Sequence, residues 1–210
     1  MAHGDDIGLR LPPRIAPQQV VIVPIFRGDD RAPVLQAAAA LADELRAAGV
    51  RVRVDGRLEY RPGFKFNEWE LKGAPLRIEV GGRDLAAGAV TVARRDTGGK
   101  QQIPLPRVAI AIDEMLSDVQ ASLFQRARGE QERRTLRDPS GYDEMIEYLR
   151  DAGGFVAASW CGRRECEARI KDGSSATIRC LPLTEQPAKG TTCVCCGRTA
   201  VADAVWAQAY

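Results

Sequence analysis

Two stretches of the chain carry side chains whose types and spacing could do chemistry. The first is a cysteine set: Cys161-x4-Cys166, then 26 residues, then Cys193-x2-Cys196-Gly197. Two short-spaced pairs of thiolates each supply half of a tetrahedron, and a long loop joins the halves, which is the pattern of a structural zinc site. Four sulfur ligands close the coordination shell and leave no open position for catalysis. Gly197 is free to take a positive φ, which lets backbone N–H groups turn toward the sulfurs. The competing readings are buried free thiols or an oxidised Cys193–Cys196 pair acting in redox chemistry; a redox pair has no use for Cys161 and Cys166. Cys195 could replace Cys193 in another register, but adjacent ligands at 195 and 196 would strain the turn, so Cys193 is preferred. Cys180 alternates with apolar neighbours and is expected in the core.

The second stretch runs from Arg61 to Gly73 (RPGFKFNEWELKG). It packs three aromatics, three cations and two carboxylates between two turn signals. Rings can hold an unstacked RNA base while charged groups read its edge. The stretch also lies in a locally basic segment. From Arg51 to Arg107 twelve Lys and Arg face seven Asp and Glu, a net +5, against −3 over the rest of the chain. Such an excess suits a phosphate-bearing partner; the plainer alternative is a solvated charged surface. Phe64 and Trp69 are expected to support the stretch from the core. The Arg77–Glu79 alternation, taken alone, is a solvent-facing strand side.

The elements that must position these residues follow from pattern. The 210 residues, 45% hydrophobic and 28% charged, describe a soluble globular chain of one large or two small domains. No run of about 18 apolar residues suggests a membrane span. The polar, acidic start is not that of a signal or transit peptide, so a reducing, cytoplasmic setting is expected, with thiols or metal ligands and no disulfide framework. Residues 1–19, with Pro12, Pro13 and Pro17, read as an incoming linker. Gln19 to Phe26 is an apolar, β-branched run and predicts a buried strand, ending early or lying at an edge near Pro24. A break at Gly28 to Asp30 precedes a helix from Pro33 to Ala48, with Gly49 as its C′ residue. Val50 to Asp55 alternates as a half-buried strand. The Arg61–Gly73 stretch falls in the connection that follows, as a dense turn.

Leu76 to Val80 alternates again, and Gly81 to Asp84 reads as a turn. Strands at Ala89–Ala93 and Gln102–Leu105 flank a hairpin signal, Thr97-Gly98-Gly99. The pattern from Val108 to about Leu136 is helical, and its charged second half is a solvated helix bridging two domains. Beyond it come a helix (Tyr142–Ala152), a strand (Phe155–Trp160), a short helix (Arg163–Lys171), a strand (Ala176–Leu183), a Pro- and Gly-rich loop and a last strand (Val201–Tyr210). The fold class is thus α/β: a mixed five-stranded sheet flanked by helices, followed by a smaller α+β zinc-binding domain. The expected boundaries are 1–17 (linker), 18–118 (sheet domain), 119–140 (bridging helix and linker) and 141–210 (zinc-binding domain).

Pro62-Gly63-Phe64-Lys65-Phe66-Asn67-Glu68-Trp69-Glu70-Leu71-Lys72-Gly73, followed by Leu76-Arg77-Ile78-Glu79-Val80-Gly81, resembles the anticodon-binding domain of prolyl-tRNA synthetases of the archaeal and eukaryotic-like type, found also in some bacteria. That type carries an extra C-terminal zinc domain, which the four-cysteine set and the terminal Ala209-Tyr210 resemble. His3-Gly4-Asp5-Asp6 with Leu11-Pro12-Pro13-Arg14 is similar to the end of the family's catalytic domain, around its third signature motif. The resemblance spans essentially the whole chain. It implies the C-terminal half of a proline–tRNA ligase, with the residues that bind ATP, Mg2+ and proline in a catalytic half preceding Met1. Such a half would bind proline tRNA without aminoacylating it alone, beside a catalytic half that is usually dimeric in the family.

Carried over residue by residue, the resemblance implies that Phe66 stacks a base and Glu70 accepts from a guanine edge. Arg77, Arg83 and Lys100 donate to guanine acceptors or phosphates, and Asp84 is a further acceptor or orients Arg83. Proline anticodons share two guanines, whose N1–H and N2–H suit a carboxylate and whose O6 and N7 suit Arg or Lys. His3, the only histidine, is given no catalytic role. The chain departs from the family at Gly82, where proline is usual, and at Gln208, where a basic residue is usual; a looser turn at Gly82 bears on the placement of Arg83. Tyr210 and its carboxylate would reach the catalytic half. Two other readings compete: a stand-alone zinc-containing protein-interaction module, and a redox or metal-handling enzyme.

Overall fold

The computed structural model describes residues 3–26, 30–151, 153–183 and 191–208. Gly28, the Pro- and Gly-rich loop at 184–190, and the terminal pair with the proposed role of Tyr210 lie outside the described residues. The chain divides into two compact units, 1–126 and 127–210.

The first unit begins with a short hairpin, β1 (Gly4–Asp5) and β2 (Gly8–Leu9). Then follow β3 (Val20–Ile25), α1 (Arg31–Ala47), β4 (Val52–Val54), α2 (Pro62–Leu71), β5 (Leu76–Gly81), α3 (Gly82–Ala86), β6 (Ala89–Arg94), β7 (Lys100–Pro104) and α4 (Val108–Arg133), which carries the chain into the second unit. The sheet has the expected five strands in the order β4-β3-β5-β6-β7. β4, β3 and β5 run parallel; β6 and β7 are added antiparallel. Pro24 does not end its strand. The β4 ladder stops at the Ile22–Val54 pair, so at Pro24 the strand has a partner on one side only, where a missing N–H is tolerated.

Alternation along the strands divides the sheet into two faces. Val20, Ile22, Leu76, Ile78, Val80, Val90, Val92 and Ile103 meet one stripe of α1 (Val34, Ala38, Leu41, Leu45) and one of α4 (Val108, Ile112, Met115, Val119), forming the main core. On the other face Val21, Val23 and Ala74 meet Phe66 and Trp69 of α2.

α2 is a departure from the expected turn. Pro62 sits at its first position, where the missing N–H costs nothing, and the residues after Phe64 are mostly good helix formers. The helix stops at Gly73, whose φ of 74° is a left-handed value. A side chain at Gly73 would also collide with Leu9 of β2, its Cβ lying 2.6 Å from that of Leu9. The Gly81–Asp84 turn is likewise replaced by the short helix α3. Residues 3–16 are tied into the first unit. Arg95 donates twice to Asp5, at 3.0 and 2.6 Å, and Arg51 donates to the carbonyls of Pro13 (2.7 Å) and Ala16 (3.0 Å). The Arg95 guanidinium holds the Asp5 carboxyl well below the usual carboxylate range.

The second unit contains β8 (Thr135–Arg137), α5 (Tyr142–Asp151), β9 (Phe155–Trp160), α6 (Arg164–Ser174), β10 (Ala176–Cys180) and β11 (Ala202–Gln208). β8 falls just past the helix end, within the span expected to be helical. The sheet order is β10-β11-β9-β8, so the last strand in sequence lies inside the sheet. Met145, Leu149, Val156, Ile170, Ala204 and Trp206 form its core. Cys180 is exposed, not buried as its alternation suggested. A register shift between Ile178 and Cys180, on the edge strand β10, turns it out of the pattern.

Candidate nucleic-acid interface and metal centre

Strand register assembles the first site. Val21 of β3 pairs with Arg77 of β5, which pairs with Ala93 of β6, which pairs with Lys100 of β7. The next row on the same face is Val23, Glu79, Thr91 and Gln102. Arg77 and Glu79 do not face solvent, as their alternation alone implied. They are 7% and 8% exposed, because this is the face α2 covers.

Across that face the charges alternate. Arg77 donates through Nη1 to Glu70 Oε1 at 2.6 Å, and through Nε and Nη2 to Glu79 Oε1 at 3.3 and 3.1 Å. Lys100 Nζ donates to the same Glu79 oxygen at 2.7 Å. The Phe66 ring lies over both cations, 4.0 Å from the Arg77 guanidinium carbon and 5.5 Å from Lys100 Nζ. The array therefore reads Glu70, Arg77, Glu79, Lys100. Its middle pair is buried, whereas the side chains at its ends are 33% and 48% exposed. An aromatic flanked by an accessible acceptor and an accessible donor can hold a base and read two edges of it.

Asp84 is attached to the same face by Gln102, whose Nε2 donates to Oδ1 at 3.4 Å. Asp84 therefore meets Gln102 there, not Arg83. Arg83 is exposed on α3 and stands outside the hydrogen-bonded array. At Gly82 the Asp30 carboxylate occupies the space a side chain would need, with Oδ2 2.4 Å from the Cβ position.

α2 is held by a second buried network that the sequence reading missed. The Asp55 carboxylate, just after β4, accepts from Arg57 Nε (2.9 Å), Arg57 Nη2 (2.8 Å) and Trp69 Nε1 (2.9 Å). Lys65, 1% exposed and the one fully buried side chain of α2, donates to the Asp55 backbone carbonyl at 3.0 Å. Glu68 accepts from Arg57 and, at 2.6 Å, from Lys72. The Arg57 guanidinium, with help from the Trp69 N–H, holds the Asp55 carboxyl well below the usual range. Desolvation pushes the Lys65 ammonium down, partly offset by Asp55. Trp69 is packed inward as expected. Phe64 is not: it is 52% exposed and stacks on Tyr60 with ring centroids 4.5 Å apart. On a helix Phe64 and Phe66 point to opposite sides, so only one of them can face the sheet. Tyr60, Lys65 and Arg57 also line a cleft of about 390 Å³ beside the end of β3.

The second site lies in the 127–210 unit. Cys161 directly follows β9, Cys166 sits in the first turn of α6, and Cys193 and Cys196 bracket a turn before β11. Their four Sγ atoms lie within 4.8 Å of one another and could hold a metal ion. Cys161–Cys166 and Cys161–Cys196 Sγ separations are 3.6 and 3.7 Å. A zinc–sulfur bond of about 2.3 Å in a tetrahedron gives edges of about 3.8 Å, whereas a disulfide needs about 2.05 Å. The donor set thus fits a tetrahedral four-sulfur centre. Cys193 belongs to the set; its neighbour Cys195 is buried outside it. Gly197 takes φ 69°, and its N–H bonds the Cys193 carbonyl at 2.9 Å, closing the turn. Gly162, after Cys161, takes φ 76°. This second Cys-Gly pair was visible in the sequence. Glu79 and the Asp55 network also had signals, an alternation with Arg77 and an Asp-x-Arg after a strand, but nothing in the sequence says that a helix covers them.

Comparison with known proteins gives two family matches: residues 19–122 match the anticodon binding domain, and residues 142–210 match the family described as prolyl-tRNA synthetase, C-terminal. Whole-length similarity is found to proteins named proline–tRNA ligase. The one from Cenarchaeum symbiosum is 43% identical over 211 residues, covering 100% of this chain and 43% of its own length. The one from Chloroflexus aurantiacus is 44% identical over 213 residues, covering 100% and 44%. That from Lachnospira eligens is 40% identical over 210 residues, covering 100% and 43%. The chain therefore spans less than half the length of the curated relatives it matches.

Proposed function

The chain belongs to the proline–tRNA ligase family through its anticodon-binding and C-terminal domains, and from that premise we propose that it reads the anticodon of proline tRNA for an enzyme that joins proline to that tRNA with ATP. The observation that carries this reading is the array on one sheet face: Phe66 with an accessible carboxylate, Glu70, on one side and an accessible ammonium, Lys100, on the other. Phe66 stacks an unpaired guanine. Glu70 accepts from its N1–H and N2–H, and Lys100 and Arg77 donate toward O6 and N7. Arg83 and Asp84, one helix away on α3, serve the second guanine or its phosphate. ATP and Mg2+ chemistry belongs to a catalytic half, the partner of this chain, and the assembled enzyme is a cytoplasmic homodimer. Among the described residues no helix is long and apolar enough to cross a membrane.

The metal is zinc, held by Cys161, Cys166, Cys193 and Cys196 in a structural role. Its thiolate set leaves no position for a reacting water.

The test is binding of a proline tRNA anticodon stem-loop, followed by fluorescence anisotropy at fixed salt, against loops in which each guanine is replaced by adenine. The unaltered protein should prefer the matched loop. Glu70→Ala should lose about 1–3 kcal/mol of binding and relax the choice at one guanine. Equal binding of both proteins to matched and substituted loops overturns the reading.

A further inference from the structure

We infer that Glu79 is a specificity-positioning residue: from the buried middle of the array it holds Arg77 and Lys100 so that Glu70 stays open to the base. This rests on the proposed reading of a base at Phe66 and Glu70.

Glu79 is the hub of the array. A single oxygen, Oε1, accepts from Arg77 Nε, Arg77 Nη2 and Lys100 Nζ. Arg77 accordingly spends two of its three nitrogens on Glu79 and one, Nη1, on Glu70. That division matters to Glu70. A guanidinium meets a carboxylate most strongly as a two-pronged fork, with two parallel N–H···O bonds. Here the Nε–Nη2 edge of the guanidinium is turned to Glu79, where both N–H groups converge on Oε1, and Glu70 receives one N–H on one oxygen. Glu70 keeps acceptor capacity, with its side chain one third exposed. It can therefore take the N1–H and N2–H of a guanine without first giving up a bidentate partner. Lys100 is oriented in the same way. Glu79 fixes its ammonium 5.5 Å from the Phe66 ring, at the edge of the stacking platform. It is thereby held back from ranging as a phosphate-seeking point charge.

Removing the Glu79 charge should have two separable effects. Arg77, 7% exposed and unable to leave the face, turns its fork to its other carboxylate, Glu70, and closes it to the base. Lys100, 48% exposed on its side chain, is released toward solvent and any nearby phosphate. Base discrimination falls while sequence-independent attraction rises. A residue that served packing alone would lower both together.

The experiment uses the full chain, the matched stem-loop and the adenine-substituted loops, titrated at several salt concentrations. For Glu79→Gln, the ratio of matched to substituted affinity should drop about tenfold. Affinity for the substituted loops should stay level or rise, and the slope of log K against log salt should steepen by about 0.7, one added single-strand phosphate contact. In a Lys100→Met background, Glu79→Gln should no longer steepen the slope but should still lower the ratio. Glu79→Asp keeps the charge at shorter reach and should fall between, and it carries the test if the glutamine variant does not fold. A Glu79→Gln protein that folds and keeps the wild-type ratio overturns this inference and leaves the anticodon reading standing, as does a Glu79→Asp protein with an unchanged ratio. A wild-type protein with no preference for guanine loops overturns the reading and this inference with it.

Discussion

The first unit organises its polar residues around charges it supplies itself; the second is organised around four sulfurs that need a charge from outside. On the sheet of the first unit, Glu70, Arg77, Glu79 and Lys100 neutralise one another, and Asp55 with Arg57, Lys65 and Trp69 secures the helix above them. In the second unit Cys161, Cys166, Cys193 and Cys196 converge from a strand end, a helix start and a loop, and four thiolates held this close call for a metal cation. A self-neutralised network can be loosened one bond at a time. A metal centre is gained or lost as a unit, because ligand binding and folding share the same free energy.

Removing the metal gives the sharpest contrast. Chelation under reducing conditions should unfold residues 127–208 and leave the five-stranded sheet intact, with an effect on the order of 10 kcal/mol in the second unit. Hydrogen exchange resolved by segment checks this; equal loss of protection in both units would erase the distinction. Next in size, Asp55→Ala should destabilise the first unit alone by about 3 kcal/mol, since it leaves the buried Lys65 ammonium without its nearest carboxylate and the Trp69 N–H without an acceptor. Chemical denaturation followed by segment-resolved hydrogen exchange, with metal content read in parallel, separates the two units.

Acid should act on the same residues. The Asp5, Asp55 and Asp96 carboxyls are all held below their ordinary range. Arg95 lowers Asp5 and Arg57 lowers Asp55; at Asp96 burial acts the other way but is outweighed, chiefly by Arg94. Depressed acids contribute stability that is complete above their unfolded pKa, about 3.9, and is lost as pH falls from there through the folded values. The first unit should therefore hold its full stability above about pH 5 and weaken below about pH 4, read from melting curves at fixed salt. The smallest effect belongs to Phe64→Ala, within about 0.5 kcal/mol of wild type in thermal melts, because the ring is half exposed and stacks on Tyr60 at the surface. A larger loss would mean that the Tyr60–Phe64 pair supports α2.

The two units also differ in how far they could be read beforehand. The five-stranded sheet was legible because β3 is a continuous apolar, β-branched run, β4 and β5 alternate in sequence, and the Thr97-Gly98-Gly99 turn marks its hairpin. The cysteine centre was legible because ligand spacing is a local property. α2 was not. Its one fully buried position is Lys65, so the apolar period of a packed helix is missing, and its burial depends on Asp55, ten residues earlier. The same gap hid Glu79, since alternation puts it beside Arg77 but does not say what lies above them. Cys180 misled for the opposite reason: its alternation was real, and a bulge one residue before it cancelled it.

The place of β11 has a further consequence, in the timing of synthesis. It is the last strand in sequence, yet it lies between β10 and β9. As the chain leaves the ribosome, all five strands of the first sheet have been made before Val108, and that sheet can close early. The second unit waits. Its third and fourth sulfurs and β11, one of its two interior strands, come after residue 190, on the order of a few seconds after Cys161 at ordinary elongation rates. In that interval β9 and β10 are without the strand that joins them. A nascent chain stalled at residues 184–190 would carry a complete five-stranded sheet and an unfinished second unit, the species in which open strand edges invite aggregation.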